Sequence, residues 1–297
     1  MDLAAQLAHL NQNVAAIAQT IPDEDTRTKL ASLSDEEFTK EITTKRLSPL
    51  DLLERHSTAA LTFGTFLSML PPMRIRQYSI SSSPLSDPTS CTLTYSVLDQ
   101  ESYAGGKRYI GIASNYLSEL DKGDRARVAV RKSHEAFHPP LDVQNIPLVM
   151  ICAGTGLAPF RGFVMERAAQ ISAGRTLAPA LLFIGCRHPT RDRLYAEELD
   201  KWQSLGAVQL RYAFSEDPES SEGCKYVQDL VWKEREEARE LWKKGARIFV
   251  CGNGKVGDGV REVALRIYEE GTGKGREEGE EWFKGIRNER FASDVFA

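Results

Sequence analysis

The residues best equipped for chemistry in this chain gather where apolar runs stop. Gly154, Thr155 and Gly156 follow the run 148–153, which has the length and bounded ends of a buried strand. Two glycines permit backbone angles that a side chain forbids. Pro159 suits the first turn of a helix that continues through Phe160, Phe163, Val164, Ala168 and Ile171. A strand, a glycine turn and a helix aim free backbone N–H groups and the positive helix end at a phosphate. Gly111, Ile112, Ala113 and Ser114 form a second such junction, with Ser114 placed to cap a short helix over 115–120. Arg76 and Tyr78 stand two apart, so a strand there sets a cation and an aromatic ring on one face. Any one of these features is also common in proteins where it binds nothing.

The elements that must position these groups follow from periodicity. Residues 1–72 read as helices: Pro22 opens one, and Ser34 with Glu37 makes a capping box for the next. Ser48, Pro49 and Asp51 repeat that signal, and Pro71-Pro72 ends the segment. The pattern then turns to period two. Residues 76–80, then Leu93, Tyr95 and Val97, then Ala126, Val128 and Val130, read as antiparallel strands with one solvated face. From Ile146 the chain alternates, with strands expected at 147–153, 181–186, 208–213 and 247–251. Helices are expected at 159–172, 193–203, 225–243 and 257–269. Such alternation implies a parallel sheet covered on both faces, with ligands outside the carboxyl ends of its strands. Those ends deliver Gly154-Thr155-Gly156, Cys186-Arg187, Ser215 and Cys251-Gly252 to one edge.

Composition narrows the function classes. A chain of 297 residues with 41% hydrophobic and 27% charged residues reads as a soluble globular protein of roughly two domains. A net charge of −4 leaves no basic footprint for nucleic acid. The five cysteines (Cys91, Cys152, Cys186, Cys224, Cys251) contain no CxxC pair, so no metal site is expected and the thiols are read as reduced. No apolar run approaches the roughly 18 residues needed to span a bilayer, and the N-terminus lacks a signal-peptide pattern. A cytoplasmic setting is expected.

Eight motifs in order carry a family resemblance: RxYSxxSS (76–83), GIASNYL (111–117), CAGTGLAPFRGF (152–163), GCRxxxxDxLYxEEL (185–199), AFS (213–215), KYVQ (225–228), FVCGNG (249–254) and the closing Asp-Val-Phe-Ala. Together they resemble the FAD/NADPH half of the diflavin reductases, the group of NADPH–cytochrome P-450 reductase. Within it the chain is most similar to reductases fused to their own haem monooxygenase. The close at Asp-Val-Phe-Ala sets it apart from nitric oxide synthases.

The resemblance implies an α/β plus β fold of the ferredoxin–NADP reductase type. It has a helical connecting segment (1–72), an antiparallel FAD-binding barrel (73–142) and a parallel, Rossmann-like NADP(H)-binding domain (143–297). It implies that Arg76 and Gly111, Ile112, Ala113 and Ser114 hold the FAD phosphates, that Tyr78 lies along the flavin, and that Ser79 reaches its reactive nitrogen. Gly154 and Thr155 meet the dinucleotide pyrophosphate. Arg187, Ser215, Lys225, Tyr226 and Gln228 bind the adenosine end with its 2′-phosphate. Cys251 and Asp294 flank the nicotinamide, where a carboxylate stabilises developing positive charge, and Phe296 stacks on the flavin. The implied catalytic set is thus Ser79, Cys251 and Asp294. The implied function is transfer of hydride from NADPH to FAD, with electrons passing on to an FMN-containing flavodoxin-like domain or a haem protein.

The sequence also departs from the family. A flavodoxin-like domain and the first barrel strands are not in it, so the barrel is expected to be incomplete at its N-terminal side and FAD weakly held. Asn253 stands where the family has aspartate, and Cys224 where lysine is common. Glu216 replaces an arginine after Ala-Phe-Ser, which is expected to weaken the NADPH preference and leave NADH open. Two rival readings are a truncated, non-catalytic dinucleotide-binding fragment and a stand-alone ferredoxin–NADP reductase-like enzyme.

Overall fold

The computed structural model describes residues 3–133 and 136–296; Ala297, the last residue of the closing motif, lies outside the described residues. The chain divides into two compact units, Met1–Arg76 with Val97–Asp124, and Gln77–Ser96 with Arg125–Ala297.

The first unit is built from helices α1 (Leu3–Gln19), α2 (Glu24–Ala31), α3 (Asp35–Phe38), α4 (Pro49–Arg55) and α5 (Phe63–Met69), a hairpin of β1 (Asp99–Glu101) and β2 (Arg108–Ile110), and α6 (Ile112–Ser118). Val14, Ile17, Phe38, Ile42, Leu47, Leu52 and Met69 form its core. The expected capping boxes are present, Ser34 with Glu37 and Ser48 with Asp51. Asp51 has a second task, since its other oxygen pairs with Lys107 at 2.6 Å, and Glu54 takes the same ammonium at 2.7 Å. With Arg55 donating to the Ala104 carbonyl at 3.1 Å, these contacts fasten the hairpin to α4.

In the second unit five parallel strands lie in the order β5-β4-β3-β6-β7: β3 (Leu148–Ala153), β4 (Ala180–Cys186), β5 (Gln209–Phe214), β6 (Arg247–Asn253) and β7 (Phe291–Phe296). Alternation along β3 explains the two layers of core. Leu148, Met150 and Cys152 face Leu157, Phe160 and Val164 of α7 (Leu157–Ser172) and Leu199 of α8 (Ala196–Ser204). Val149 and Ile151 face the other layer, made by α9 (Val227–Lys233), α10 (Arg235–Lys243), α11 (Gly254–Thr272) and α12 (Arg276–Ile286). The doubly wound parallel sheet read from the sequence is therefore present.

Several expectations are corrected. The helix expected over 225–243 breaks at Glu234 into α9 and α10, and α8 starts only after Tyr195, which takes a left-handed φ of 55°. Strand β7 and helix α12 were not expected. Residues 76–80 and 93–97 make one isolated antiparallel bridge, Ile80 to Leu93, rather than strands, and 126–130 has no strand at all. Alternating residues become a strand only where another segment supplies hydrogen-bond partners. Among the described residues none does so for 126–130, and Val128 and Val130 stay 78% and 77% exposed. No described helix is long and apolar enough to cross a membrane.

Candidate active site at the carboxyl edge of the parallel sheet

Because all five strands run parallel, their carboxyl ends reach one edge, and each brings a group named from the sequence. At β3 the chain passes into a 3-10 turn, Gly154–Gly156, and directly into α7. The two glycines serve different ends. Gly154 has φ 55° with nothing within 4 Å of a built Cβ, so it is needed for its conformation. Gly156 has an ordinary φ and is needed for space: a Cβ would overlap the Cys251 carbonyl oxygen and lie 2.7 Å from its carbon. From the sequence alone both glycines read as conformational. This junction has no side-chain cap, but the Leu157 N–H already donates to the Gly154 and Thr155 carbonyls and Pro159 has none, so what it can offer an anion are the N–H groups of the glycine turn itself.

At the other end of the sheet, Cys251 of β6 and Asp294 of β7 are register partners, as are Asn253 and Phe296. Cys251 is buried, and Asp294 and Phe296 are exposed. Burial pushes the Cys251 thiol up to about 12, with the Asp294 carboxylate adding to the shift, so this cysteine is a neutral thiol at physiological pH. Asp294 Oδ2 accepts from Ser79 Oγ at 3.1 Å. Ser79, Cys251 and Asp294, separated by up to 215 positions in the chain, thus lie together at this edge. Asn253 caps α11 by accepting from Val256 N at 3.1 Å, a task asparagine performs as well as aspartate.

Ser79 is held there by its neighbours. Arg161 of α7, 7% exposed, donates to the Ser81 carbonyl at 2.7 Å and to Thr92 Oγ1 at 3.2 Å. It also pairs with Glu198 at 2.7 Å and lies 4.2 Å from the Tyr195 ring centroid. The Tyr195 hydroxyl shares a 2.8 Å hydrogen bond with Thr94 Oγ1. Gly162 lets the backbone at Ser82 close in, since a Cβ would stand 3.1 Å from that carbonyl oxygen. Arg161 is not singled out by the sequence reading. Its signal was a lone charge inside an otherwise apolar helix start, which demands partners. Tyr78 is half-buried with its ring centroid 5.5 Å from that of Tyr95.

The β4 and β5 ends continue as a pair beyond the strands: Ser215 N donates to the Cys186 carbonyl at 3.0 Å and Glu216 N to the Arg187 carbonyl at 2.8 Å. Arg187 and Glu216 are exposed, and Ser215 is half-buried. Glu216 is no bare charge, however, because Arg191 Nη2 pairs with it at 2.7 Å. Cys224 is buried in the core, which leaves exposed Lys225, beside the Tyr226 ring at 5.4 Å, as the cation of this segment. Gln228 sits half-buried in the first turn of α9.

In the first unit, α2 to α5 each start on a side-chain cap, whereas α6 starts on Gly111 with none. The expected Ser114 cap is corrected: its hydroxyl accepts from Leu98 N at 3.0 Å and points to the Gly111 carbonyl at 3.4 Å. Gly111 is required because a Cβ would stand 2.7 Å from Leu98 Cβ. The first N–H groups of α6 are consequently free for an anion, a donor set suited to the phosphates of FAD. Arg76 is exposed and belongs to a stretch without regular structure, so the strand face it was expected to share with Tyr78 is absent.

Comparison with known proteins places the chain among flavin- and nicotinamide-dependent oxidoreductases. A family model described as "FAD binding domain" matches residues 8–116, and one described as "Oxidoreductase NAD-binding domain" matches residues 150–262. The bifunctional cytochrome P450/NADPH–P450 reductase of Fusarium oxysporum is 50% identical over 290 residues, 96% of this chain and 27% of that protein. The corresponding protein of Acremonium egyptiacum is 45% identical over 100% of the chain and 28% of its own length. A self-sufficient cytochrome P450 monooxygenase of Exserohilum turcicum is 42% identical over 96% and 27%. The chain belongs to the diflavin reductase family and matches its FAD- and NADP-binding part. It spans 27–28% of the length of these curated relatives.

Proposed function

We propose that this chain is the module that takes hydride from NADPH onto FAD and sends electrons to an FMN-containing domain or a haem protein, as an NADPH–haemoprotein reductase does. The observation that carries this reading is the convergence of Ser79, Cys251 and Asp294 at the carboxyl edge of the sheet. A passive dinucleotide binder needs the glycine turn but has no use for a carboxylate held by a serine beside a neutral thiol. When bound, FAD supplies the two-electron acceptor and the one-electron donor.

The protein's own groups position and stabilise. Asp294 offers a carboxylate where the nicotinamide ring becomes positive, and Ser79 fixes its orientation through the 3.1 Å hydrogen bond. Cys251 is small and uncharged, so it lets a ring approach without competing for the charge. Gly154 and Thr155 meet the dinucleotide pyrophosphate. Arg187, Ser215, Lys225, Tyr226 and Gln228 take the adenosine end, and Phe296 covers the flavin. Arg76 with 111–114 takes the FAD phosphates, and Tyr78 the flavin ring. On this reading 1–72 is a connecting segment, 73–142 the FAD part and 143–297 the NADPH part. The setting is cytoplasmic, supported by five unpaired cysteines.

Asp294→Asn tests the assignment. Flavin reduction by NADPH should slow about tenfold or more, a barrier increase of about 1.4 kcal/mol or more, with flavin content unchanged. Full-rate reduction in the variant would remove Asp294 from the chemistry.

A further inference from the structure

The loop after β4 carries a cation that the assignments above do not use. Residues 187–192 fold round Asp192, whose two oxygens accept from Arg187 N at 2.7 Å and His188 N at 2.8 Å. The loop is further closed by Thr190 Oγ1 on His188 Nδ1 at 3.1 Å. It presents Arg191 to Glu216, the residue just beyond β5, across a rim where the β4 and β5 backbones are already joined. The contact uses Nη2 alone; among the described residues the remaining N–H groups of Arg191 have no hydrogen-bond partner. The side chains of Arg187 and Lys225 likewise have none among the described residues. Both partners of the Arg191–Glu216 pair are largely exposed, so the pair contributes little to stability. It does turn the guanidinium toward Glu216, on the edge where ligands of such sheets bind.

We propose that Arg191, oriented by Glu216, is a specificity-determining residue for the 2′-phosphate of NADPH. Glu216 is then a positioning residue rather than a repulsive one. The inference rests on the NADPH reading given above. The planar fork of an arginine can bridge a carboxylate on one side and a phosphate on the other in a fixed geometry, whereas a lysine acts as a point charge on a flexible stem. The site thereby replaces an arginine after Ala-Phe-Ser with a glutamate that holds another arginine. The cation count at the rim stays at three, Arg187, Arg191 and Lys225, and the negative charge of Glu216 is spent on one of them.

The test is calorimetric titration of the full chain with adenosine 2′,5′-bisphosphate and with adenosine 5′-monophosphate. Arg191→Ala should weaken the bisphosphate about tenfold, the low end for a hydrogen bond to a charged group, and leave the monophosphate within about twofold. Glu216→Ala should weaken the bisphosphate a few-fold by releasing Arg191. In the Arg191→Ala background the same change should tighten it, since only a negative charge is then removed. An unchanged bisphosphate affinity in Arg191→Ala overturns the proposal, as does tightening by Glu216→Ala alone. If the unsubstituted protein does not prefer the bisphosphate, the NADPH reading falls and takes this proposal with it. If it does prefer it while Arg191→Ala retains the preference, only the role of Arg191 falls.

Discussion

Gly156→Ala perturbs the point where the phosphate turn and the reactive edge touch. A Cβ on residue 156 would overlap the Cys251 carbonyl oxygen, stand 2.7 Å from the Cys251 carbonyl carbon and 3.0 Å from Gly252 Cα. Ordinary contact begins at 3.4 Å, so the carbon alone must move by about 0.7 Å. No flexible side chain can absorb this, because every atom concerned is backbone. Strand β6 is hydrogen-bonded to β3 on one side and β7 on the other, so it cannot shift by itself. Overpacking a well-filled site costs about 1–3 kcal/mol and sometimes more, and a clash with a doubly paired strand belongs at the upper end, about 3 kcal/mol. For a unit of this size that corresponds to a drop in Tm of about 6–12 °C. Gly154→Ala is the control: it strains a positive φ but meets nothing, which costs about 1 kcal/mol. Thermal unfolding followed by circular dichroism reads both. A Gly156→Ala protein that melts with the wild type, or above Gly154→Ala, would refute the close-approach argument.

Thiol reactivity should follow burial: at about pH 8 iodoacetamide should modify exposed Cys91 and spare Cys152, Cys186 and Cys251, whose thiols burial pushes up. Peptide mass spectrometry checks this, and early labelling of Cys251 would contradict it. In the first unit, burial alone would raise the Asp51 carboxyl, but hydrogen bonds from Lys107 and Ser48 outweigh it and hold the group below its ordinary value of 3.8. A lowered folded value stabilises above the unfolded one and is lost as pH falls through the folded one. Asp51→Asn should therefore lower the Tm at about pH 7, with the gap closing below about pH 4; a gap independent of pH would count against the ion pair.

The parallel sheet was legible because its strands are buried on both faces and read as continuous apolar runs such as 148–153. Helix α12 was not, since Arg276 to Glu281 is nearly all charge; its packing face is only Gly279, Trp282, Phe283 and Ile286, with Trp282 stacked 4.6 Å from Tyr268. Strand β7 escaped because four of its six residues are exposed and its pairing with β6 is a long-range fact. Residues 126–130 erred the other way, their alternation being a local property while a strand needs a partner. At the site, the glycine turn and the ends of β4, β5 and β6 were readable from position. That Ser79 and Asp294 share a site is implied by the family likeness alone, and their direct hydrogen bond is legible only in the fold, because nothing local links residues 215 positions apart. The Arg191–Glu216 pair was hidden for the same reason: in the sequence Glu216 reads as a bare negative charge, and its partner is visible only in the fold.

The central claim is hydride transfer from NADPH to FAD at the edge formed by Ser79, Cys251 and Asp294. The most direct measurement is the visible absorbance of the FAD-loaded protein after NADPH is added without oxygen. The yellow flavin band should bleach within seconds, and Asp294→Asn should slow the bleaching about tenfold or more. A flavin that stays yellow in the presence of saturating NADPH would contradict it.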